Sequence, residues 1–160
     1  MKHFTMTEFT DSVTAKKEGL DNTPSPSHVR NIEEMVQQLL DPLREAWAIE
    51  CAHEKFGTPA IRVSSGYRGF QLNEAVGGSK TSAHCYGLAA DLVPINGRLA
   101  EFKRFCRAWL HGRAFDQMIS ESEDATGTPR WVHIGYKARN GRLRQQLLSM
   151  RDGKYFPMTA

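Results

Sequence analysis

Ser82-Ala83-His84-Cys85-Tyr86-Gly87-Leu88-Ala89-Ala90-Asp91 is the most informative segment of this chain. Small polar residues open it as a loop, a histidine follows, and Gly87 lets the chain turn. Leu88 to Val93 then reads as a strand, apolar except for Asp91. A carboxylate in that setting is costly unless it is paired or bound to a metal. Side chains alternate along a strand, so Asp91 shares one face with Ala89. Trp131-Val132-His133-Ile134-Gly135-Tyr136 repeats the design, with one imidazole in an apolar strand and Trp131 and Gly135 on its face. Two such strands and a loop histidine supply a His, Asp, His set: His84, Asp91 and His133. Three protein ligands with an open fourth position describe a catalytic zinc site rather than a structural one. Imidazole and carboxylate suit zinc, but geometry decides the metal.

Outward from these strands, the spacing predicts the rest of an α+β domain spanning residues 1–160. Asp21 to Ser27 is rich in turn formers, and Ser27 is a good N-cap. From His28 to about Phe56 apolar residues recur at helical spacing, with Pro42 placed to kink the helix and Gly57 and Pro59 to end it. Ala60 to Ser64 reads as a strand, Arg68 to Val76 as a short helix, and Gly77 to Gly87 as a loop. Leu99 to Leu110 is an amphipathic helix with Phe102, Phe105, Cys106 and Trp109 inward. Phe115 to Ser120 is a third strand, Glu121 to Pro129 a polar loop, and Arg130 to Tyr136 a fourth strand. Leu143 to Met150 and Lys154 to Phe156 flank Asp152-Gly153, a pair suited to a tight hairpin turn. Helices in front and short strands behind predict N-terminal helices packed on a small, mainly antiparallel sheet that carries the metal site.

The 160 residues suffice for a hydrophobic core, and 40% hydrophobic with 24% charged residues is an ordinary globular balance. No apolar run approaches the roughly 18 residues of a membrane helix. The formal net charge of +3, with basic residues scattered apart from Lys137, Arg139, Arg142 and Arg144, argues against a nucleic-acid partner. That group is a solvated face or an attraction for an anionic polymer such as cell wall. Cys51, Cys85 and Cys106 form no CxxC pair, and their odd number argues against a disulfide framework. Cys85 adjoins His84, but neighbours on an extended chain face opposite ways, so a Cys–His dyad is not expected. MKHFTMTEFTDS has a basic start and no apolar stretch behind it, which predicts cytoplasmic synthesis without a secretory signal.

The string SxHxxGxAxD at Ser82 to Asp91, followed by WVH at Trp131 to His133, resembles the M15 metallopeptidases. These include zinc D-Ala-D-Ala carboxypeptidases and phage L-alanyl-D-glutamate endopeptidases. Ser64-Ser65-Gly66-Tyr67-Arg68, Leu72-Asn73 and Ala75-Val76-Gly77-Gly78-Ser79 resemble a further block of the family, and Phe4-Thr5, Phe9 and Gly19 to Asn22 the N-terminal stretch of one subgroup. The resemblance implies one zinc per chain on His84, Asp91 and His133, and substrate binding by Arg68 and Ser82. Chemistry also supports Arg68, because a guanidinium beside a metal can fork onto a peptide carboxylate or carbonyl. The implied substrate is the stem peptide of peptidoglycan, cut by a carboxypeptidase or endopeptidase, and the chain is expected to be a monomer. Action in the cell wall or periplasm, as in phage lysis, follows by analogy.

Many members carry an acid three residues before the last histidine ligand, as general base. Arg130 stands there, and a guanidinium cannot take a proton from water. Glu121, at the end of an apolar strand, is the expected base, with Glu123 and Asp124 as alternatives. Zinc lowers the pKa of a bound water toward about 7, and the base carries the proton to the leaving amine. Arg130 also leaves open a rival of another class, a zinc-bearing structural or wall-binding domain that has lost catalysis.

Overall fold

The computed structural model describes residues 1–159. Helices α1 (Met6–Thr10) and α2 (Val13–Glu18) open the chain. Neither is expected from periodicity, since at 5 and 6 residues each is too short to show a repeat. Helix α3 (Pro26–Met35), a π-helical turn (Val36–Leu40) and α4 (Asp41–Glu54) follow without a break. The N-cap of α3 is Ser25, not Ser27: its hydroxyl accepts from the His28 N–H at 3.2 Å, and Pro26 supplies a preset first helical residue. The widened π turn lies just ahead of Pro42, where a proline removes one backbone donor and crowds the preceding turn.

Strand β1 (Ile61–Ser65), helix α5 (Phe70–Ala75), a 3-10 turn (Ala83–Tyr86), β2 (Ala89–Pro94) and α6 (Leu99–Leu110) come next. Strands β3 (Gln117–Glu121), β4 (Trp131–Gly135), β5 (Gln146–Arg151) and β6 (Lys154–Pro157) complete a six-stranded sheet in the order β1-β2-β4-β3-β5-β6. All pairs are antiparallel except β3 with β5. The expected α+β architecture is therefore present, with one parallel pair. Asp152 and Gly153 both have positive φ, 50° and 74°, as a tight hairpin turn demands.

The alternation of each strand separates two faces. Ala90, Leu92, Met118, Val132 and Ile134 point into one apolar cluster with residues of α3, α4 and α6. Trp47 is central there, edge-on to Phe102 at 5.1 Å between centroids. Phe102, Cys106 and Leu110 are the fully buried stripe of α6, whereas Phe105 and Trp109 are only half-buried at its margin. All three cysteines are buried and free. The opposite face aligns Ser65, Asp91, His133, Ile119 and Leu148 as successive cross-strand neighbours. Among the described residues, no helix is long and apolar enough to cross a membrane.

Candidate metal centre

Asp91 and His133 are direct cross-strand partners on β2 and β4, so register alone brings carboxylate and imidazole together. His84 reaches them from the 3-10 turn. Ser82 starts that turn, its hydroxyl accepting from the His84 N–H at 3.2 Å, and Gly87 ends it with φ +71°. A Cβ on Gly87 would meet the His28 carbonyl oxygen at 2.7 Å and Ile32 at 2.8 Å, so glycine alone fits.

His84 Nε2, Asp91 Oδ1 and His133 Nδ1 form a triangle with sides of 3.2, 3.0 and 3.3 Å. A tetrahedral ion with bonds of about 2.0–2.1 Å sets its ligand atoms about 3.3 Å apart. The triangle matches one face of such a tetrahedron. The donor chemistry agrees. The His84 Nδ1–H donates to the Gly66 carbonyl oxygen at 2.7 Å, which leaves Nε2 as the lone-pair nitrogen facing the other two groups. Burial lowers the His84 pKa against the pull of Asp91, so the ring stays neutral. Burial alone would raise Asp91, but the two imidazoles outweigh it and hold the carboxyl well below its usual range. These three form the one group of metal-competent side chains among the described residues, with no fourth protein ligand.

The triangle lies in a cleft of about 500 Å³ that Arg68, Ser82, Glu121, Trp131 and Tyr155 also line. Glu121 is the last residue of β3 rather than the first of a loop, and it is buried on the same face as Ile119, opposite Trp131. Burial pushes its carboxyl above the ordinary value, Asp91 adds to the rise, and His133 and Arg68 oppose it. Arg68 Nε is buried without a partner, and its Nη2 reaches the Ser82 hydroxyl only at 3.4 Å.

The alternatives to Glu121 lie elsewhere. Glu123 accepts from the Ser120 and Ser149 hydroxyls at 2.7 and 3.0 Å and pairs with Lys103 of α6, on the helix-covered side. Asp124 is exposed and caps its own loop through Thr126 and Thr128. Arg130 is exposed, its N–H donating to the Glu121 carbonyl oxygen. Cys85 is buried away from the cleft, and burial raises its thiol pKa. Sequence reasoning missed Asp116 and Tyr155 as cleft-lining residues. Alternation along the last hairpin could have found Tyr155, which pairs with Met150 and shares the site face.

A family model described as Peptidase M15 matches residues 2–134, and the chain belongs to that family. M15 peptidases are metallopeptidases, and this chain carries a His-Asp-His cluster that could hold a metal ion. No curated protein matches the chain.

Proposed function

We propose that this protein is a zinc-dependent hydrolase of peptide bonds in peptidoglycan stem peptides, holding one zinc on His84, Asp91 and His133. The 3.0–3.3 Å ligand triangle, open toward a cleft that also contains Glu121 and Arg68, carries the proposal. Zinc held by His84, Asp91 and His133 would supply polarisation of the scissile carbonyl and a more acidic water. Glu121 takes the proton of the attacking water and passes it to the leaving amine, a role its raised pKa and buried strand-end position suit. Arg68, whose Nε lacks a partner, orients the peptide by a charge-assisted hydrogen bond, and Ser82 holds the turn that aims His84. The proposed setting is a monomer made in the cytoplasm that acts on the wall, as in lysis.

Arg130 favours the non-catalytic rival. Against it stand the absence of a fourth protein ligand among the described residues and the Glu121 carboxyl in the cleft. Elemental analysis of protein purified without added metal, then digestion of purified peptidoglycan with mass spectrometry of the fragments, decides between them. About one zinc per chain and new peptide termini are expected. The termini identify the cleaved bond, and a zinc-loaded protein that releases nothing leaves the non-catalytic domain.

A further inference from the structure

The cleft continues past the metal triangle into a second hollow of about 530 Å³, and the two share Thr81, Ala138, Arg139 and Arg144 in their walls. The segment between β4 and β5 forms that end and lies beyond the residues matched by the family model. It is firmly fixed. Arg144 Nε and Nη2 donate to the two oxygens of buried Asp116 at 2.9 and 2.8 Å, and its backbone N–H donates to the same carboxylate at 3.1 Å. The Ala138 N–H donates to the Arg142 carbonyl at 3.0 Å, closing the turn between them. At the other end Lys137 Nζ and the Tyr136 hydroxyl donate to Glu34 at 2.9 and 3.0 Å.

This accounting leaves a charge asymmetry. Lys137 and Arg144 are neutralised by Glu34 and Asp116. Arg139 and Arg142 have no carboxylate partner among the described residues, and both line the second hollow. Arg139 is steadied over the Tyr86 ring, 5.4 Å from its centroid, which orients the guanidinium without consuming its charge. The second hollow has no acidic residue in its wall, whereas the metal end holds Asp91 and Glu121. A peptide lying along the cleft meets acid at one end and two free guanidinium forks at the other.

We propose that Arg139 and Arg142 form a subsite for a carboxylate of the peptide that occupies the cleft, selecting acidic over amidated peptides. A carboxylate fits because planar guanidinium groups bind it bidentately. The proposal rests on the peptidase reading of the cleft, and a binding measurement separates the two.

The test uses a synthetic stem tetrapeptide with all carboxylates free and its fully amidated counterpart. Calorimetry measures the binding of each to the Glu121→Gln protein, and the parent is assayed for cleavage of both. The acid peptide should bind about tenfold more tightly, the discrimination that one charge-assisted contact provides. The ratio should shrink as salt screens it and collapse toward one in Arg139→Gln/Arg142→Gln. Arg62→Gln/Arg104→Gln, an equal charge loss at exposed positions of β1 and α6 outside both hollows, should leave the ratio as it was. Equal binding, or no measurable binding of either peptide, overturns the subsite. A polyphosphate chain that binds more tightly than the acid peptide, and loses that affinity in the double variant, also overturns it in favour of an anionic polymer. Selective binding without cleavage by the zinc-loaded parent keeps the subsite and removes the peptidase reading.

Discussion

Glu121 and Glu123 are two residues apart, which on a continuing strand would have placed them on one face. The positive φ of Ser122, 51°, breaks the alternation, so Glu121 lies in the cleft and Glu123 turns to the helix-covered side. The two glutamates therefore predict different failures. Glu121→Gln keeps size and hydrogen bonding while removing the base. Its kcat should fall by roughly 10²- to 10⁴-fold with zinc content and melting temperature unchanged. Glu123→Gln should leave kcat near the parent value but lower stability by about 1–3 kcal/mol, because it weakens the buried contacts to Lys103, Ser120 and Ser149. Steady-state kinetics and thermal melts of the pair separate catalysis from support; interchanged outcomes would assign the base to Glu123. Asp91 and His133 were legible because each is a lone polar residue in an apolar strand. The Ser122 turn was not, because serine carries no preference for left-handed backbone that spacing could reveal.

At the scale of elements, every main strand and the long helix were legible from period and punctuation, with ends displaced by one to three residues. Phe115 and Asp116 show why the ends moved. Both are buried, as a strand residue would be, yet regular pairing begins only at Gln117, while the Asp116 carboxylate binds Arg144 and its N–H donates to the Gly135 carbonyl. The parallel pairing of β3 with β5 was also hidden, since it depends on a clamp between residues 28 positions apart. That clamp predicts a pH response. Burial raises the Asp116 pKa, but the hydrogen bonds from Arg144 outweigh it and the net shift is downward. A carboxyl with a depressed folded pKa stabilises above its unfolded value of about 3.9, and that stability is lost as pH falls through the folded pKa. Asp116→Asn should therefore cost about 1 kcal/mol at pH 7, a modest figure because half-exposed Arg144 is screened by solvent. The difference should shrink in acid, as pH falls below the unfolded value and through the depressed folded pKa. Urea titrations at neutral pH and in acid test this; an equal deficit at both would show that the clamp acts by shape rather than charge.

For the whole molecule, the division into a helix-covered face and a chemical face follows from alternation, and the composition alone indicated one globular core. The cleft itself was only partly legible. His84, Asp91, His133, Arg68 and Ser82 came from local strings, but Tyr155 and Asp116 join them only through long-range pairing. The candidate metal site carries a prediction about stability. An ion that binds the folded chain and not the unfolded one stabilises by about 2.7 kcal/mol at a hundredfold excess over its Kd. For a chain of this size that raises the melting temperature by roughly 5–10 °C. Calorimetric scans with zinc and with chelator should show that gap in the parent and none in His84→Ala. A gap that survives His84→Ala would move the ion elsewhere.

Gly66 gives the N-terminal segment a hold on this chemistry. A Cβ there would strike the Phe9 backbone at 2.6 Å, and the adjacent Tyr67 N–H donates to the Phe9 carbonyl. The Gly66 carbonyl in turn receives the His84 Nδ1–H. Docking of the first ten residues and the choice of imidazole tautomer are thus recorded on neighbouring atoms of one peptide unit. Displacing Phe9 from Gly66 would therefore disturb the same peptide unit that fixes the ring of His84.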